Sequence, residues 1–508
     1  MNTLNKNTII AKNTLFLSIR MVLVLFVSLY TSRVFLDVLG VVDYGISNVV
    51  AGFVSMFSFF NTSLSNGIQR FYNAELGRNG AHGITRVYNT SLFIQSIIAI
   101  GVTILLETVG LWYLYEKMVI PPDRFNVAFW LYQFSIISSI FVIMQSPFSA
   151  AIMAYERMNA YAVISICDVV IKLIFALALP YLDADKLMLY GGFYMLLSVL
   201  TFIMNVWYCK NQFKELYFNK AYDKSMFKAM ISFSGWNFMG TFACMAREQG
   251  LNMVLNLFFG PVVNAARGIA YQVSSALQGF VSTLSLASKP QMVQSYATGD
   301  AHRTLKLMYT MSKLSFVFLF VLSLPIMLNI DYILNIWLGD VVPEHTSTFV
   351  VLVIVTNFMN NLNAPISNVV YATGKMRAYE LTFSIINLLI IPFSYIVLML
   401  GAPAEAAFVT YLVMAVFVQI GCLLVLRTLV EFSVRDYIRF LIFPIALLTL
   451  LVVPLMYALH QILPNNILGV GLEYIIVTML VSISFYFIVL DANEKGIVKT
   501  MINKCRKQ

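Results

Sequence analysis

Ionisable side chains lie inside long apolar stretches of this sequence, and they are the residues best able to do chemistry. Asp168 and Lys172 are four residues apart, so a helix places them on one face, where they can neutralise each other. Arg247 and Glu248 are adjacent, point about 100° apart on a helix, and are not expected to share one partner well. Because a charge in apolar surroundings is costly, each needs a partner or a ligand. Arg247 is the residue for which we most expect a role in a polar cavity.

Four other cations lie nearer to helix ends. Arg20, Arg33 and Lys313 are within about a dozen residues of an end, so their long stems could carry the charge to water. Snorkelling and a binding role therefore both stay open for these three residues. Arg267 lies one turn into a predicted helix, towards its outer end.

Small polar side chains recur on single helix faces at three- and four-residue steps. The longest such stripe comprises Asn264, Arg267, Tyr271, Ser275, Gln278 and Ser282. A similar stripe one repeat earlier comprises Ser47, Ala51, Ser55, Ser58 and Thr62, and a third helix adds Asn357, Asn360 and Asn361. Hydrogen bonding between helices uses the same residue types. The length of the stripe and its recurrence favour a hydrated inner wall instead.

Motifs for enzymatic chemistry are missing from the sequence. It contains no phosphate-binding glycine loop, no nucleophile elbow and no cluster with metal-ligand spacing, and its four histidines are far apart. The longest predicted outer loop, about Ile330 to His345, is too short to hold a catalytic domain. We therefore expect a protein without enzymatic activity, metal or cofactor, and a polytopic glycan-modifying enzyme is disfavoured.

Water cannot be the solvent for most of this chain. Of its 508 residues, 60% are hydrophobic and only 11% are charged, and the mean hydropathy is +0.80. Soluble domains have roughly 25% charged residues. The apolar residues occur in runs of roughly 20, the length of a helix that spans a hydrocarbon core of about 30 Å. Because backbone groups in lipid must be paired within their own segment, we predict an all-α polytopic membrane protein with about fourteen transmembrane helices.

The predicted helices are separated by short polar loops, which also indicate the orientation of the chain. They are Asn13–Leu36, Asp43–Ser65, Tyr88–Leu111, Val127–Tyr155, Tyr161–Tyr181, Leu187–Cys209, Ala229–Phe259, Val262–Ser288, Leu305–Asn329, Thr346–Tyr371, Glu380–Leu400, Ala406–Leu426, Tyr437–His460 and Gly471–Leu490. Lysine and arginine concentrate in alternate loops, and the opposite loops hold only Lys117, Arg124 and Lys186. The positive-inside rule therefore predicts that both termini are cytoplasmic. This topology accounts for the net charge of +9, so no nucleic-acid partner is needed.

The chain also repeats itself. The segment PFSAAIMAYERMNAY from Pro147 aligns without gaps on PISNVVYATGKMRAY from Pro365, and similar spacing pairs Gly40 with Gly260. Two six-helix lobes are predicted as parallel repeats, as in transporters whose substrate binds between two lobes. Pro147 and Pro365 stand near the cytoplasmic ends of equivalent helices, where each can bend its helix and serve as a hinge.

The repeat divides the chain into four parts. These are an N-terminal six-helix lobe at 1–210, a cytoplasmic linker at 211–228, a C-terminal six-helix lobe at 229–430, and two extra transmembrane helices with a basic cytoplasmic tail at 431–508.

Three segments resemble a known family. They are TLFLSIRMVLVLFVSLYTSRVFLDVLGVVDYGI, QRFYNAELG and FFGPVVNAARGIAYQVSSALQGF. They resemble the polysaccharide-transporter branch of the multidrug/oligosaccharidyl-lipid/polysaccharide (MOP) exporter superfamily. The resemblance covers nearly the whole chain and implies a flippase of the bacterial inner membrane. Its cargo would be an undecaprenyl-diphosphate-linked oligosaccharide for O-antigen or capsule assembly, moved by alternating access between two lobes. Membrane lipids and other polysaccharide-assembly proteins are the expected partners.

The resemblance also implies roles for the candidate residues. The related lipid II flippase uses arginines of its first and eighth helices in a cationic cavity, and Arg20, Arg33 and Arg267 lie on comparable helices here. A diphosphate needs cations in a low-dielectric site, so Arg247 is the first candidate, with Arg267 and Lys172 behind it. The glycan-facing candidates are Asn264, Tyr271, Ser275, Gln278, Asn357 and Asn361.

Coupling to H⁺ or Na⁺ could use Glu248 or Asp168. An ion-coupled multidrug or cation antiporter of the same fold stays open as an alternative function, although it should carry acidic deep groups and the deep charges here are mainly basic.

Overall fold

A computed structural model describes most of the chain. It covers residues 3–78, 81–155, 157–219, 223–297, 300–339, 341–464, 466–491 and 494–496. Side chains are described outside 3–22, 58–63, 66, 74, 77–78, 81–82, 232–237, 283–291, 293–294 and 297. Every regular element within these ranges is helical, which confirms the all-α prediction.

Seventeen α-helices follow one another in the described ranges. They are α1 Thr3–Ser55, α2 Ser58–Arg78, α3 Ala81–Leu105, α4 Leu111–Glu116, α5 Phe125–Ala154, α6 Met158–Ala178, α7 Lys186–Gln212, α8 Lys224–Phe259, α9 Pro261–Ala297, α10 Ala301–Leu328, α11 Ile330–Leu338, α12 Thr346–Thr373, α13 Arg377–Met399, α14 Glu405–Leu429, α15 Val434–Tyr437, α16 Phe443–His460 and α17 Ile467–Ser484. Short π-helical turns at Leu106–Gly110, Ile438–Ile442 and Phe485–Val489 continue α3, α15 and α17.

Eleven of these helical segments in the described ranges are long and apolar enough to cross a membrane. They correspond to the predicted helices except the second, seventh and eighth. The second predicted helix, Asp43–Ser65, overlaps the first of these segments, which runs from Leu23 to Ser55. α8 and α9 are long enough to cross a hydrocarbon core at about 1.5 Å per residue, but they carry the polar stripes. The multi-pass architecture is thus confirmed, while the total of fourteen crossings and the cytoplasmic termini stay predictions.

Two glycines break helices at equivalent places in the repeat. Gly40 interrupts α1 with φ 73° and ψ 168°, and Gly260 separates α8 from α9 with φ 72° and ψ −170°. This backbone region is open almost only to glycine, because a Cβ atom would clash there. The two glycines that the sequence repeat aligns, Gly40 and Gly260, therefore break the helix in the same way in both halves of the repeat.

The proline-containing repeat segments also share one local structure. α5 ends at Ala154 and α6 begins at Met158, while α12 ends at Thr373 and α13 begins at Arg377, which places the two turns within one residue of register. Both α5 and α12 continue through their prolines, Pro147 and Pro365. Bending at Pro147 and Pro365 stays a prediction.

The predicted cytoplasmic linker is docked on α3. Asn89 donates through Nδ2 to Tyr217 O at 3.1 Å and accepts at Oδ1 from Asn219 N at 2.7 Å. Arg86 forms an ion pair with Asp223, the N-cap of α8. Hydrogen bonds from Ser225 and from the Met226 amide lower the pKa of Asp223 to about 2. The start of α8 is thereby tied to the start of α3.

The described residues form two compact units. Unit 1 comprises Met1–Ile269, Trp337–Thr346 and Asn387–Ala407, and unit 2 comprises Ala270–Ile336, Ser347–Ile386 and Phe408–Gln508. In unit 1, a core of buried side chains from α2, α3, α5 and the linker includes Tyr72 and Ile152. In unit 2, Phe316, Phe320 and Phe358 pack against one another with ring centroids 4.9–6.0 Å apart. The four-part division expected from the sequence stays a prediction.

Candidate functional site

Arg247 is buried in unit 1 with only 7% of its surface exposed. It lies on α8, and its Nη1 donates to Asn387 Oδ1 on α13 at 2.5 Å. Its Nη2 donates to Glu248 Oε1 at 3.2 Å. The Arg247 guanidinium therefore reaches the carboxylate of its own neighbour in the sequence. The Glu248 side chain keeps 36% of its surface exposed, so this ion pair has one buried and one accessible member.

Arg267 reaches the same place from α9. It is 6% exposed, and its Nη2 donates to the backbone oxygen of Glu248 at 2.5 Å. Two guanidinium groups therefore meet at one residue of α8, and the acidic group in these described contacts is the Glu248 carboxylate. We call Arg247, Glu248, Arg267 and Asn387 the arginine cluster. The sequence predicted its three charged members but missed Asn387, whose only signal is a lone amide in the apolar run IINLLII.

A ladder of asparagines lies next to the arginine cluster in unit 1. Asn264 on α9 donates to both oxygens of Asn252, at 2.8 and 2.7 Å, and accepts from Asn256 at 3.1 Å. Asn252 in turn donates to Asn48 O at 3.0 Å. Asn264, predicted to face a glycan, is fully buried and holds α9 to α8. Contact with a glycan would require this ladder to open.

The remaining glycan candidates lie in unit 2. Asn357 on α12 donates to Ser274 Oγ on α9 at 2.8 Å, and Asn361 donates to Asn357 O at 3.0 Å. Ser275 is exposed, and Tyr271 and Gln278 are half-buried. The α12 stripe therefore contacts α9 through Ser274, which is the neighbour of Ser275 and not a member of the predicted α9 stripe.

Asp168 and Lys172 form the predicted pair on α6. Lys172 Nζ lies 2.8 Å from Asp168 Oδ2, and Thr201 Oγ1 on α7 donates to the other carboxylate oxygen at 3.3 Å. Lys172 also lies 5.8 Å from the centre of the Tyr194 ring. Both charged groups are half-buried and already have partners, so this pair is electrically neutral.

Arg33 is the arginine of α1 whose side chain the structure describes. Arg33 is exposed, and its Nη2 would lie 3.8 Å from a Cβ atom placed on Gly339. The side chain of Arg20 lies outside the described residues. Among the side chains that the structure describes, no group of three or more histidine, cysteine or acidic residues is placed to hold a metal ion.

No protein-family model and no curated protein sequence matches the chain, but solved structures do. The lipid II flippase MurJ, in its inward closed conformation, superimposes with a TM-score of 0.68 at 12% identity, over 93% of this chain and 98% of that one. A multidrug resistance MATE family transporter of the MOP superfamily in its inward-facing conformation gives 0.67 at 12% identity, over 80% and 96%. An outward-facing MATE transporter gives 0.55 at 15% identity, over 82% and 95%. This chain is therefore a multi-pass membrane protein with the fold of MOP-superfamily exporters.

Proposed function

We propose that this protein is a flippase of the bacterial inner membrane that moves undecaprenyl-diphosphate-linked oligosaccharides by alternating access, for O-antigen, capsule or another surface polysaccharide. The observation that carries the proposal is the arginine cluster. Two buried guanidinium groups from α8 and α9 contact Glu248, whose carboxylate is the acidic group among their described hydrogen bonds. An excess of buried positive charge suits an anionic cargo.

The chemistry of a diphosphate fits these donors. A guanidinium presents parallel N–H groups that bind two oxygens of one phosphate, and such charge-assisted bonds are about twice as strong as neutral ones. In the described state Arg247 uses one Nη on the neutral amide of Asn387 and the other on Glu248. A diphosphate would replace both partners. Glu248, already part-exposed, would then turn to water, where it could take up H⁺ or Na⁺ and couple the ion to transport.

Sugar hydroxyls require a different kind of partner. In unit 2, α9 and α12 present hydroxyl and amide groups, among them Ser275, Gln278, Asn357 and Asn361. Such groups donate and accept hydrogen bonds and carry no net charge. They suit a glycan better than they suit a lipid tail.

The comparisons show a fold shared with a lipid flippase and with multidrug transporters, and the share of this chain that is covered differs between them. The lipid II flippase aligns with 93% of this chain and the MATE transporter with 80%, a difference of 13 percentage points. That difference is comparable to the segment that holds α16 and α17, which the two-lobe repeat does not require. Because the identities are low, the cargo itself rests on the chemistry of the arginine cluster.

An ion-coupled multidrug antiporter is the second candidate. The part-exposed carboxylates of Glu248 and Asp168 favour it, because an acidic group that reaches water can bind a cationic drug. The two functions give opposite expectations for the arginines. Loss of an arginine should weaken the transport of an anion and should leave the export of a cation unchanged or improved.

The test is complementation of a bacterial strain that lacks its oligosaccharide flippase, with Arg247→Ala and Arg247→Lys at matched membrane levels. We expect alanine to abolish surface polysaccharide, because the diphosphate loses its main partner. Lysine should retain part of the function, because the charge persists while the two-pronged geometry is lost.

Arg33→Ala serves as the control, because it removes an arginine outside the arginine cluster. If Arg247→Ala restores surface polysaccharide as well as the parent does, Arg247 is structural and the diphosphate proposal fails. Improved efflux of a cationic dye in the same variant would favour the antiporter.

A further inference from the structure

A second acidic site lies in unit 2, on the helices that follow the two-lobe repeat. Glu473 on α17 is 1% exposed, within the apolar span Ile467–Val489. Its Oε2 accepts a hydrogen bond from Asn329 Nδ2 at the end of α10. Its Oε1 lies 2.8 Å from His460 Nδ1 at the end of α16. Three helices thus meet at one buried carboxyl group.

The partners of Glu473 determine its charge. Asn329 is neutral, and its Nδ2 donates also to Pro325 O at 3.0 Å, so the amide supplies hydrogen bonds and no charge. His460 is therefore the group on these three helices that can balance a carboxylate. A contact of 2.8 Å between an imidazole nitrogen and a carboxyl oxygen requires a proton between them. The pair carries a net charge of −1 or, with one more proton, zero.

The other titratable groups on α10, α16 and α17 either have other partners or lie far from Glu473 along their helices. On α10, Lys313 lies sixteen residues before Asn329, about 24 Å along the helix, and pairs with Glu494 at 2.9 Å. The titratable residues His302, Arg303, Lys306 and Tyr309 lie still farther from Asn329. On α17, Tyr474 donates to Leu322 O at 3.1 Å, and on α16 Tyr457 is exposed. After α17, Tyr486 lies thirteen residues beyond Glu473.

Within the apolar span Ile467–Val489, the carboxyl group of Glu473 and the imidazole of His460 are in direct contact and can share a proton. The imidazole of His460 keeps 26% of its surface exposed, whereas the carboxyl group of Glu473 is almost fully enclosed. The imidazole is thus the route by which a proton passes between water and the carboxyl group.

We propose that Glu473 and His460 form a proton-binding site that exchanges with the aqueous phase at the ends of α10 and α16. The lysine and arginine bias predicts that this phase is the outer one. No covalent bond changes: one proton binds to the pair and is later released. That the bound proton drives cargo movement rests on the proposed function, but the binding itself does not.

Infrared difference spectroscopy of the purified full-length protein between pH 5 and pH 8 tests proton binding without any cargo. The parent should show a pH-dependent band of a protonated carboxyl group or of imidazolium, and Glu473→Gln should lose it. In His460→Gln the carboxyl group loses the imidazole that shares the proton, so the difference spectrum should no longer match that of the parent. Glu494→Gln is the matched control, because that carboxylate is equally buried but is paired with a lysine, and its removal should leave the band unchanged.

An unchanged difference spectrum in Glu473→Gln that elutes as a monodisperse protein would overturn the proposal. If that variant does not fold, His460→Gln decides the question, because a difference spectrum like the parent's would equally overturn it. Complementation by the same variants over external pH 5–8 then tests coupling. Loss of the parent's pH dependence supports coupling, and an unchanged dependence contradicts it. Failure of the Arg247 variants to behave as expected would leave the infrared result standing.

Discussion

Two groups of charged residues lie within long helices of this protein. They are the arginine cluster on α8, α9 and α13 and the Asp168–Lys172 pair on α6. On α6 the two charges are four residues apart, so one helix face brings them together and the pair is neutral. On α8 the two charges are adjacent, and one arginine is shared between a neighbour on its own helix and an amide of α13. A second arginine, Arg267 of α9, donates a hydrogen bond to the backbone oxygen of Glu248.

The difference shows that spacing decides where a charge is satisfied. Charges spaced by four residues are satisfied within their own helix and bring no excess charge. On α8 the adjacent charges pair with each other, and other helices add a second cation and an amide, so the described site keeps a net positive charge. A site with excess charge is suited to a ligand, whereas a neutral pair is suited to structure.

After Arg247→Ala, the largest expected effect comes from Arg267→Ala. The substitution removes one of two cations and the hydrogen bond to Glu248 O, so both stability and transport should fall. A hydrogen bond to a charged donor contributes about 2 kcal/mol. Thermal unfolding in detergent and complementation at matched expression measure the two effects. A variant as stable and active as the parent would show that the arginine cluster does not act as one unit.

Asn387→Asp makes the arginine cluster neutral, as the pair on α6 is. The new carboxylate would face Arg247 Nη1 in place of the amide oxygen, so stability should not fall. Transport should drop about tenfold or more, which corresponds to about 1.4 kcal/mol, because the excess charge is lost. Asn387→Leu is the control, since it removes the hydrogen bond and adds no charge. If leucine is as damaging as aspartate, charge is not the cause.

A smaller effect is expected at the neutral pair. Lys172→Met leaves Asp168 without its cation and should destabilise the protein by about 1 kcal/mol, because the pair is only half-buried. Adding Asp168→Leu should restore stability to within about 0.5 kcal/mol, because an ion pair replaced by apolar groups is often neutral in effect. The measurements are thermal unfolding and complementation. An inactive but stable double variant would mean that Lys172 or Asp168 takes part in transport.

Much of the fold could be predicted from the sequence, because lipid leaves the backbone few choices. Apolar runs of about 20 residues must be helices, and the spacing of Asp168 and Lys172 on such a helix gives their contact directly. The repeat between the segments at Pro147 and Pro365 also fixes the position of a turn. These are local properties, so a single sequence contains them.

Contacts between distant helices could not be predicted in this way. Asn387 gives no signal that it meets Arg247, since 140 residues separate the two and nothing nearby marks the amide. Asn264 lies on a polar stripe that suits either a wet wall or a buried ladder, and only the packing of α8 against α9 decides between them. The breaks at Gly40 and Gly260 depend on a backbone region that residue type permits but does not require.

The smallest effect should come from Arg33→Ala, because Arg33 belongs neither to the arginine cluster nor to the Asp168–Lys172 pair. Arg33 is exposed, so its removal should change stability by no more than about 0.5 kcal/mol. If the positive charge that matters is concentrated in the arginine cluster, surface polysaccharide should stay within about twofold of the parent at matched expression, since a factor of two is only about 0.4 kcal/mol. The resemblance to the lipid II flippase gives the opposite expectation, because it assigns arginines of the first helix to the cavity. A loss as large as that of Arg267→Ala would therefore extend the anion site to α1.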